Sequence, residues 1–107
     1  MDLPRKPRQL TGCNCSICRR YGALWAYYKA RDVKVSAGRR AVTSYSWGHR
    51  NLEFVRCATC GCVMHWKPVK AKQDGRMGVN ARNFEPEVCA GIRVRYLDGA
   101  RTWKYFD

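Results

Sequence analysis

The cysteines of this chain, seven among 107 residues, are the side chains whose type and spacing point most directly to chemistry. Cys13, Cys15 and Cys18 form a Cys-x-Cys-x-x-Cys motif. Three thiolates at this spacing can occupy three corners of a zinc tetrahedron and leave the fourth for water or substrate, as in catalytic zinc sites. The motif therefore predicts a zinc site with an open position, in which all three cysteines are metal ligands and catalytic residues.

A second cysteine motif predicts a zinc knuckle in the middle of the chain. Cys57 and Cys60 stand in a Cys-x-x-Cys-Gly sequence, and two cysteines at this spacing reach one zinc ion because the turn between them folds back. Gly61 favours that turn, since glycine adopts positive φ without steric cost. Cys62 lies two residues beyond Cys60, where strand alternation returns a side chain to the same face, so it is either an extra ligand or a buried free thiol.

The two motifs can also be combined in one site. In that interpretation two cysteines of the first motif join Cys57 and Cys60 in a single structural four-thiolate centre. A disulfide framework is not expected, because the cysteine count is odd and the N-terminal sequence does not resemble an export signal. Cys89 is expected to lie in the core, and His49 and His65 are expected to be structural residues rather than metal ligands.

The charge of the chain predicts an anionic partner. Lysine and arginine number 21 against 8 aspartate and glutamate, a net charge of +13, and residues 1–50 carry 11 of the basic and 2 of the acidic side chains. Arg19 and Arg20 directly follow the first motif. An arginine fork meets a carboxylate with two parallel hydrogen bonds, so these two are candidate substrate-binding residues, with a solvated basic patch as the alternative. The aromatic candidates for a cleft wall or a core are Trp25, Tyr27, Trp47 and Trp66.

The elements that must position these residues are predicted to be mostly short strands. Alternation and a high content of β-branched and aromatic residues predict strands at 24–29, 33–35, 41–47, 52–57, 63–66, 77–80 and 92–96. One or two helical turns are expected at 16–21. The strands on either side of the Cys57 motif should form a hairpin with its turn at the cysteines.

These elements predict a mainly β fold, a small domain of antiparallel sheets organised around metal. Residues 1–12 are basic and contain two prolines, so they are expected to form an arm, followed by a single zinc-binding domain over residues 13–107. The longest wholly apolar run, Ala23 to Tyr28, is far shorter than the roughly 20 residues of a membrane-spanning helix. We therefore expect a soluble cytoplasmic protein without a membrane partner.

Taken together, the motifs resemble the glutathione-dependent formaldehyde-activating family, which also includes centromere protein V. The matching segments are Cys13-x-Cys15-x-x-Cys18-Arg19-Arg20, Phe54-x-x-Cys57-x-x-Cys60-Gly61-Cys62, Val79-Asn80-Ala81-Arg82 and Leu97-Asp98-Gly99-Ala100. The resemblance implies an Mss4-like fold, a catalytic zinc on the first motif and a structural zinc at the knuckle. It also implies a carbon–sulfur lyase that acts on S-hydroxymethylglutathione, the adduct of glutathione and formaldehyde, or on a related thiol adduct.

The sequence departs from the family's pattern at the second site. In the family the structural zinc is completed by two cysteines of an N-terminal Gly-x-Cys-x-Cys-Gly hairpin, which does not precede Cys13 here. Three explanations stay open: Cys62 or a cysteine of the first motif replaces the pair, the second site is empty, or the gene starts upstream of Met1.

A different class of function also stays open. A strongly basic zinc-stabilised domain could be a binding module for nucleic acid or another anionic partner, or a catalytically inactive relative of the family. The basic residues are spread along the whole chain rather than concentrated on one element. This distribution favours the enzyme, with zinc as its cofactor and a small thiol such as glutathione as its partner.

Overall fold

The computed structural model describes residues 2–36, 40–47, 52–69 and 75–106, with Trp47 described by its backbone alone. These residues form seven strands and a few short helices. The strands are β1 (Gln9–Cys13), β2 (Trp25–Lys29), β3 (Val42–Trp47), β4 (Leu52–Cys57), β5 (Val63–Pro68), β6 (Arg76–Asn80) and β7 (Arg93–Leu97). The α-helices are α1 (Ser16–Tyr21) and α2 (Pro86–Cys89), and 3₁₀ helices lie at Ala30–Asp32 and Ala81–Asn83. The prediction of a mainly β fold is confirmed.

The chain divides into two compact units, each built from two separate stretches of the sequence. One unit comprises Met1–Arg5 and Tyr27–Val79, and the other comprises Lys6–Ala26 and Asn80–Asp107. The end of the expected arm is strand β1, in which Leu10 and Thr11 are completely buried. Its burial depends on pairing with β7, a strand more than 80 residues further along the chain, which the local sequence does not reveal.

In the first unit, strands β3, β4, β5 and β6 are paired in that order and are antiparallel. The predicted hairpin is present, with β4 and β5 joined by a turn that contains Cys60. Trp66 on β5 pairs with Gly78 on β6, and the indole lies so close to Gly78 that a side chain there would overlap it. The segment predicted as a strand at 33–35 contributes only an isolated bridge between Asp2 and Lys34.

In the second unit, strand β1 lies between β2 and β7. It is antiparallel to β2, with Thr11 opposite Trp25, and parallel to β7 over all five of its residues. The sequence predicts mainly antiparallel strands, and the pair of β1 and β7 is a parallel exception. Parallel strands need a long connection, and here most of the chain lies between the two partners. The buried indole of Trp25 forms the centre of this unit's core.

None of the helices in the described ranges has the length and apolar character that a membrane crossing would require.

Candidate metal centre

The three cysteines of the first motif come together in the second unit. Cys13 is the last residue of β1, Cys15 is the N-cap of α1, and Cys18 lies in its first turn. Residues three apart share one face of a helix, so Cys15 and Cys18 point the same way, and the end of β1 brings Cys13 to them. Their sulfur atoms all lie within 4.8 Å of one another. This group could hold a metal ion.

The cysteine sulfurs are embedded among hydrogen-bond donors. Cys15 and Cys18 are buried, whereas Cys13 is only half-buried. The backbone amide of Cys18 donates to Cys15 Sγ at 3.4 Å, which caps the helix, and Trp25 Nε1 donates to Cys18 Sγ at 3.4 Å. Donors aimed at sulfur stabilise thiolate over thiol. The sequence indicates Trp25 only as a candidate for a cleft wall or the core, because a turn separates its strand from Cys18.

The ionisation of these cysteines fits a cation among them. A hydrogen bond from the Cys18 thiol lowers the pKa of Cys13 to about 6, and the backbone amides of Cys15 and Gly99 act in the same direction. That hydrogen bond, together with burial, raises the pKa of Cys18 far above its usual value. The group therefore accepts one negative charge readily and a second only at high cost. A soft divalent cation would offset that cost, so three sulfur donors suit zinc.

A turn after β7 lies against the cluster and was not assigned to it by sequence reasoning. Asn14, between the first two cysteines, donates from Nδ2 to Asp98 Oδ1 at 3.0 Å, and its Oδ1 accepts from the amide of Ala100 at 3.0 Å. The hydrogen bonds from Asn14 and Thr102 hold the pKa of the Asp98 carboxyl below its usual value. Only the pairing of β1 with β7 brings residues this far apart in sequence together.

Gly99 is the closest part of that turn to the cluster. A methyl group built on it would overlap Cys13 Sγ and would meet Cys15 Cβ at 3.4 Å. The absence of a side chain at this position therefore leaves space for the Cys13 sulfur to join the other two.

We expect the Gly99→Ala variant to displace the Cys13 sulfur from the group. Overpacking of this kind costs about 1–3 kcal/mol, and disturbing the support of a metal ligand costs about 10–100-fold in metal affinity. Zinc affinity can be measured by competition with a chromogenic chelator, with Ala100→Ser as a control at the exposed neighbouring position. Equal zinc affinity in Gly99→Ala and the native chain would contradict this account of the turn.

The two arginines after the cluster lie in the last turn of α1 and are exposed. Arg20 Nη1 donates to the carbonyl of Ser16 at 2.9 Å, so one of its donors is used by its own helix. A guanidinium group has five N–H donors, so Arg20 retains capacity for a carboxylate.

The knuckle cysteines lie in the first unit at the β4–β5 turn. The Cys57 amide donates to the carbonyl of Cys62 at 2.9 Å, and Gly61, with the expected positive φ of 78°, donates to the carbonyl of Cys57 at 2.9 Å. The backbone amides of Cys60 and Thr59 lower the pKa of the Cys57 thiol. Across the described part of the chain, a group of three or more metal-ligating side chains occurs only at the first motif, so the structure does not bring Cys57, Cys60 and Cys62 together in that way.

Of the remaining histidine and cysteine residues singled out from the sequence, those within the described ranges do not join the three clustered cysteines. His65 is 4% exposed, with Nδ1 buried and without a hydrogen-bond partner among the described residues. Cys89 is half-buried, and its thiol donates to the carbonyl of Ala81 at 3.7 Å.

Tyr27 and Trp66 form an edge-to-face pair with ring centroids 6.0 Å apart. His49 and the Trp47 side chain lie outside the described residues.

The fold and this site define a class of small, mainly β proteins with a cysteine group suited to a metal ion. Residues 1–95 match the family model described as glutathione-dependent formaldehyde-activating enzyme. Because this match covers most of the chain, the protein belongs to that family.

A solved structure supports the same conclusion about the fold. The chain resembles the crystal structure of a Rhodobacter sphaeroides protein from a structural genomics programme, with a TM-score of 0.66 and 27% sequence identity. The likeness covers 87% of this chain and 86% of that one. A comparison with curated proteins gave no significant match.

Proposed function

We propose that this protein is a carbon–sulfur lyase that forms and cleaves S-hydroxymethylglutathione or a related adduct of a small thiol. The observation that carries the proposal is the group of three cysteine sulfurs within 4.8 Å of one another. It occurs in a chain of the glutathione-dependent formaldehyde-activating family. Cys13, Cys15 and Cys18 would hold a zinc ion, and Cys13 is the least buried of the three.

The residues of the chain would hold the metal ligands and the substrate in position. Zinc in this site would supply thiol activation rather than carbonyl polarisation, since a coordinated thiol becomes a thiolate at neutral pH while three protein thiolates reduce Lewis acidity. Cys15 is fixed by its cap on α1 and Cys18 by the Trp25 indole, so two of the three sulfurs are held in place before substrate arrives. Arg19 and Arg20 would bind a carboxylate of glutathione.

The reaction needs no redox partner. The glutathione thiol releases its proton to water, its sulfur attacks the carbon of formaldehyde and forms the C–S bond, and the π electrons of the carbonyl group move to oxygen, which takes up a proton from water in exchange. The reverse reaction breaks the C–S bond and returns the proton. Because the same addition proceeds in solution, the protein would accelerate it by positioning the two reactants.

For the second motif we propose a structural role. Cys57 and Cys60 would bind zinc at the β4–β5 turn with Cys62 as a further candidate ligand, and the amides directed at Cys57 are consistent with a bound thiolate. The free state of all seven cysteines suits a reducing compartment, so we propose a cytoplasmic location.

The proposed activity can be tested by exchange NMR with ¹³C-labelled formaldehyde and glutathione. We expect the zinc-loaded protein to raise the exchange rate between free and glutathione-bound formaldehyde by at least about 100-fold, the lower end of the range for a positioned catalytic group. The rate should change little with salt, whereas binding of a nucleic acid would weaken steeply. The Cys89→Ser variant, which alters a cysteine outside the cluster, is the matched control. A zinc-loaded protein that leaves the exchange at its spontaneous rate would refute the proposal.

A further inference from the structure

An exposed tryptophan has an unusual backbone conformation beside the cysteine group. Trp103 has φ 59°, and it is the non-glycine residue with positive φ within the described ranges. Its side chain is 62% exposed. A bulky residue in this region is a genuine outlier, and outliers of this kind occur preferentially where function requires them.

The surrounding turn holds Trp103 in that conformation. Its amide donates to the carbonyl of Asp98 at 2.8 Å. The Thr102 hydroxyl donates to Asp98 Oδ2 at 3.0 Å, and the Lys104 amide donates to Thr102 Oγ1 at 3.3 Å. Asp98 is in turn bonded to Asn14 of the first motif. The position of the indole is therefore tied to the motif by a continuous set of hydrogen bonds.

The indole lies close to the cluster. A methyl group built on Gly99 would meet Trp103 Cζ3 at 3.7 Å, and the same methyl group would overlap Cys13 Sγ. The ring edge and the least buried of the three sulfurs thus border one small region of space. A substrate bound at the three cysteine sulfurs would therefore contact the exposed Trp103 ring and bury part of its apolar surface.

A shallow cavity lies beside Asn14 and Asp98, the hydrogen-bonded pair that joins the first motif to this turn. Its volume is about 440 Å³, within the range of small-molecule sites. It is lined by Asn14, Asp98, Ala100, Arg101 and Phe106. It therefore has one cationic and one anionic side chain, and Phe106, like Trp103, is 62% exposed. A pair of opposite charges beside exposed aromatic rings is complementary to a zwitterion with a short apolar arm.

We propose that the segment 98–106 is the substrate-binding subsite of the cysteine group. The Trp103 ring covers the sulfur-bearing arm of the thiol adduct, and the Arg101 guanidinium binds the carboxylate of its amino-acid end. This inference rests on the proposed function, and it adds the residues that would recognise the two ends of the thiol adduct.

The Trp103→Gly variant tests the role of the ring without a penalty to the fold. Glycine accepts a positive φ, so the thermal midpoint should be unchanged or higher than that of the native chain. We expect KM for the glutathione adduct to rise at least tenfold, with kcat within twofold of the native value, and Trp103→Phe to recover part of the loss. Tyr45→Ser, which removes a comparably exposed aromatic ring from the other unit, should leave KM unchanged.

The Arg101→Gln variant tests whether the positive charge of Arg101 binds the carboxylate of the substrate. Its KM should rise for the glutathione adduct and stay the same for the adduct of 2-mercaptoethanol, which lacks the amino-acid group. A purely structural role for Arg101 would raise KM for both thiols equally. Equal kinetics of the native chain, Trp103→Gly and Arg101→Gln would overturn the inference.

Other outcomes separate this inference from the proposed function. If the native protein does not turn over the glutathione adduct, the proposed function is refuted. Binding of unreactive S-methylglutathione, followed through the indole signal that Trp103→Phe removes, would then still decide whether the subsite exists. If Trp103→Gly instead converts a dimer into a monomer in light scattering, the exposed rings belong to an interface between two copies and the subsite is wrong.

Discussion

Serine at Cys15 or Cys18 should reduce the formaldehyde–glutathione exchange to its spontaneous rate while the protein stays folded. A hydroxyl group is a poor zinc ligand, so either change removes the metal from the candidate centre. The local structure tolerates both changes. Serine is a favoured N-cap residue and can replace the Cys15 sulfur that caps α1, and a hydroxyl at position 18 can accept the hydrogen bond from Trp25. The measurements are exchange NMR, zinc content and the thermal midpoint of each variant.

The matched variants are Cys57→Ser and Cys60→Ser in the knuckle. We expect these to lower the thermal midpoint, because a metal bound at the β4–β5 turn would fix the register of the two strands that the turn joins. The comparison of the four serine variants also decides whether the chain has two separate zinc sites or a single one. If all four serine variants unfold at the same lowered temperature, the two motifs form a single structural four-thiolate centre and the catalytic assignment of Cys13, Cys15 and Cys18 is wrong.

Removal of zinc should destabilise the whole protein. Structural zinc supplies roughly 10 to 16 kcal/mol of apparent free energy, whereas a domain of this size has only about 5 to 15 kcal/mol of stability in total. We expect a strong chelator to lower the thermal midpoint by more than about 20 °C, at 4–8 °C for each kcal/mol lost.

The control for chelation is metal analysis before and after treatment, followed by return of zinc. The untreated protein should contain at least one zinc per chain under reducing conditions, and added zinc should restore the original midpoint. A midpoint that does not change after verified metal removal would mean that the apolar core, centred on residues such as Trp25 and Phe54, suffices for folding.

Local patterns were sufficient to predict many of the elements. The helix predicted at 16–21 is α1, since its caps, Cys15 and Gly22, lie next to it in sequence. The hairpin around Cys60 depends on alternation in two adjacent strands and on a turn that contains a glycine with positive φ. Strand β1 was not predicted, because it is short, follows directly on a basic segment that contains two prolines, and has buried positions that are defined by β2 and β7.

The sequence by itself determined the family, the mainly β class and the cysteines that form the candidate centre, because each depends on short-range spacing. Only the tertiary structure decided what surrounds those cysteines. Trp25 reaches the cluster through the turn after α1. Gly99 and Trp103 reach it through the pairing of β1 with β7. Spacing along a chain specifies which ligands can share one ion, but long-range strand pairing specifies which distant side chains border it, and no local pattern encodes that pairing.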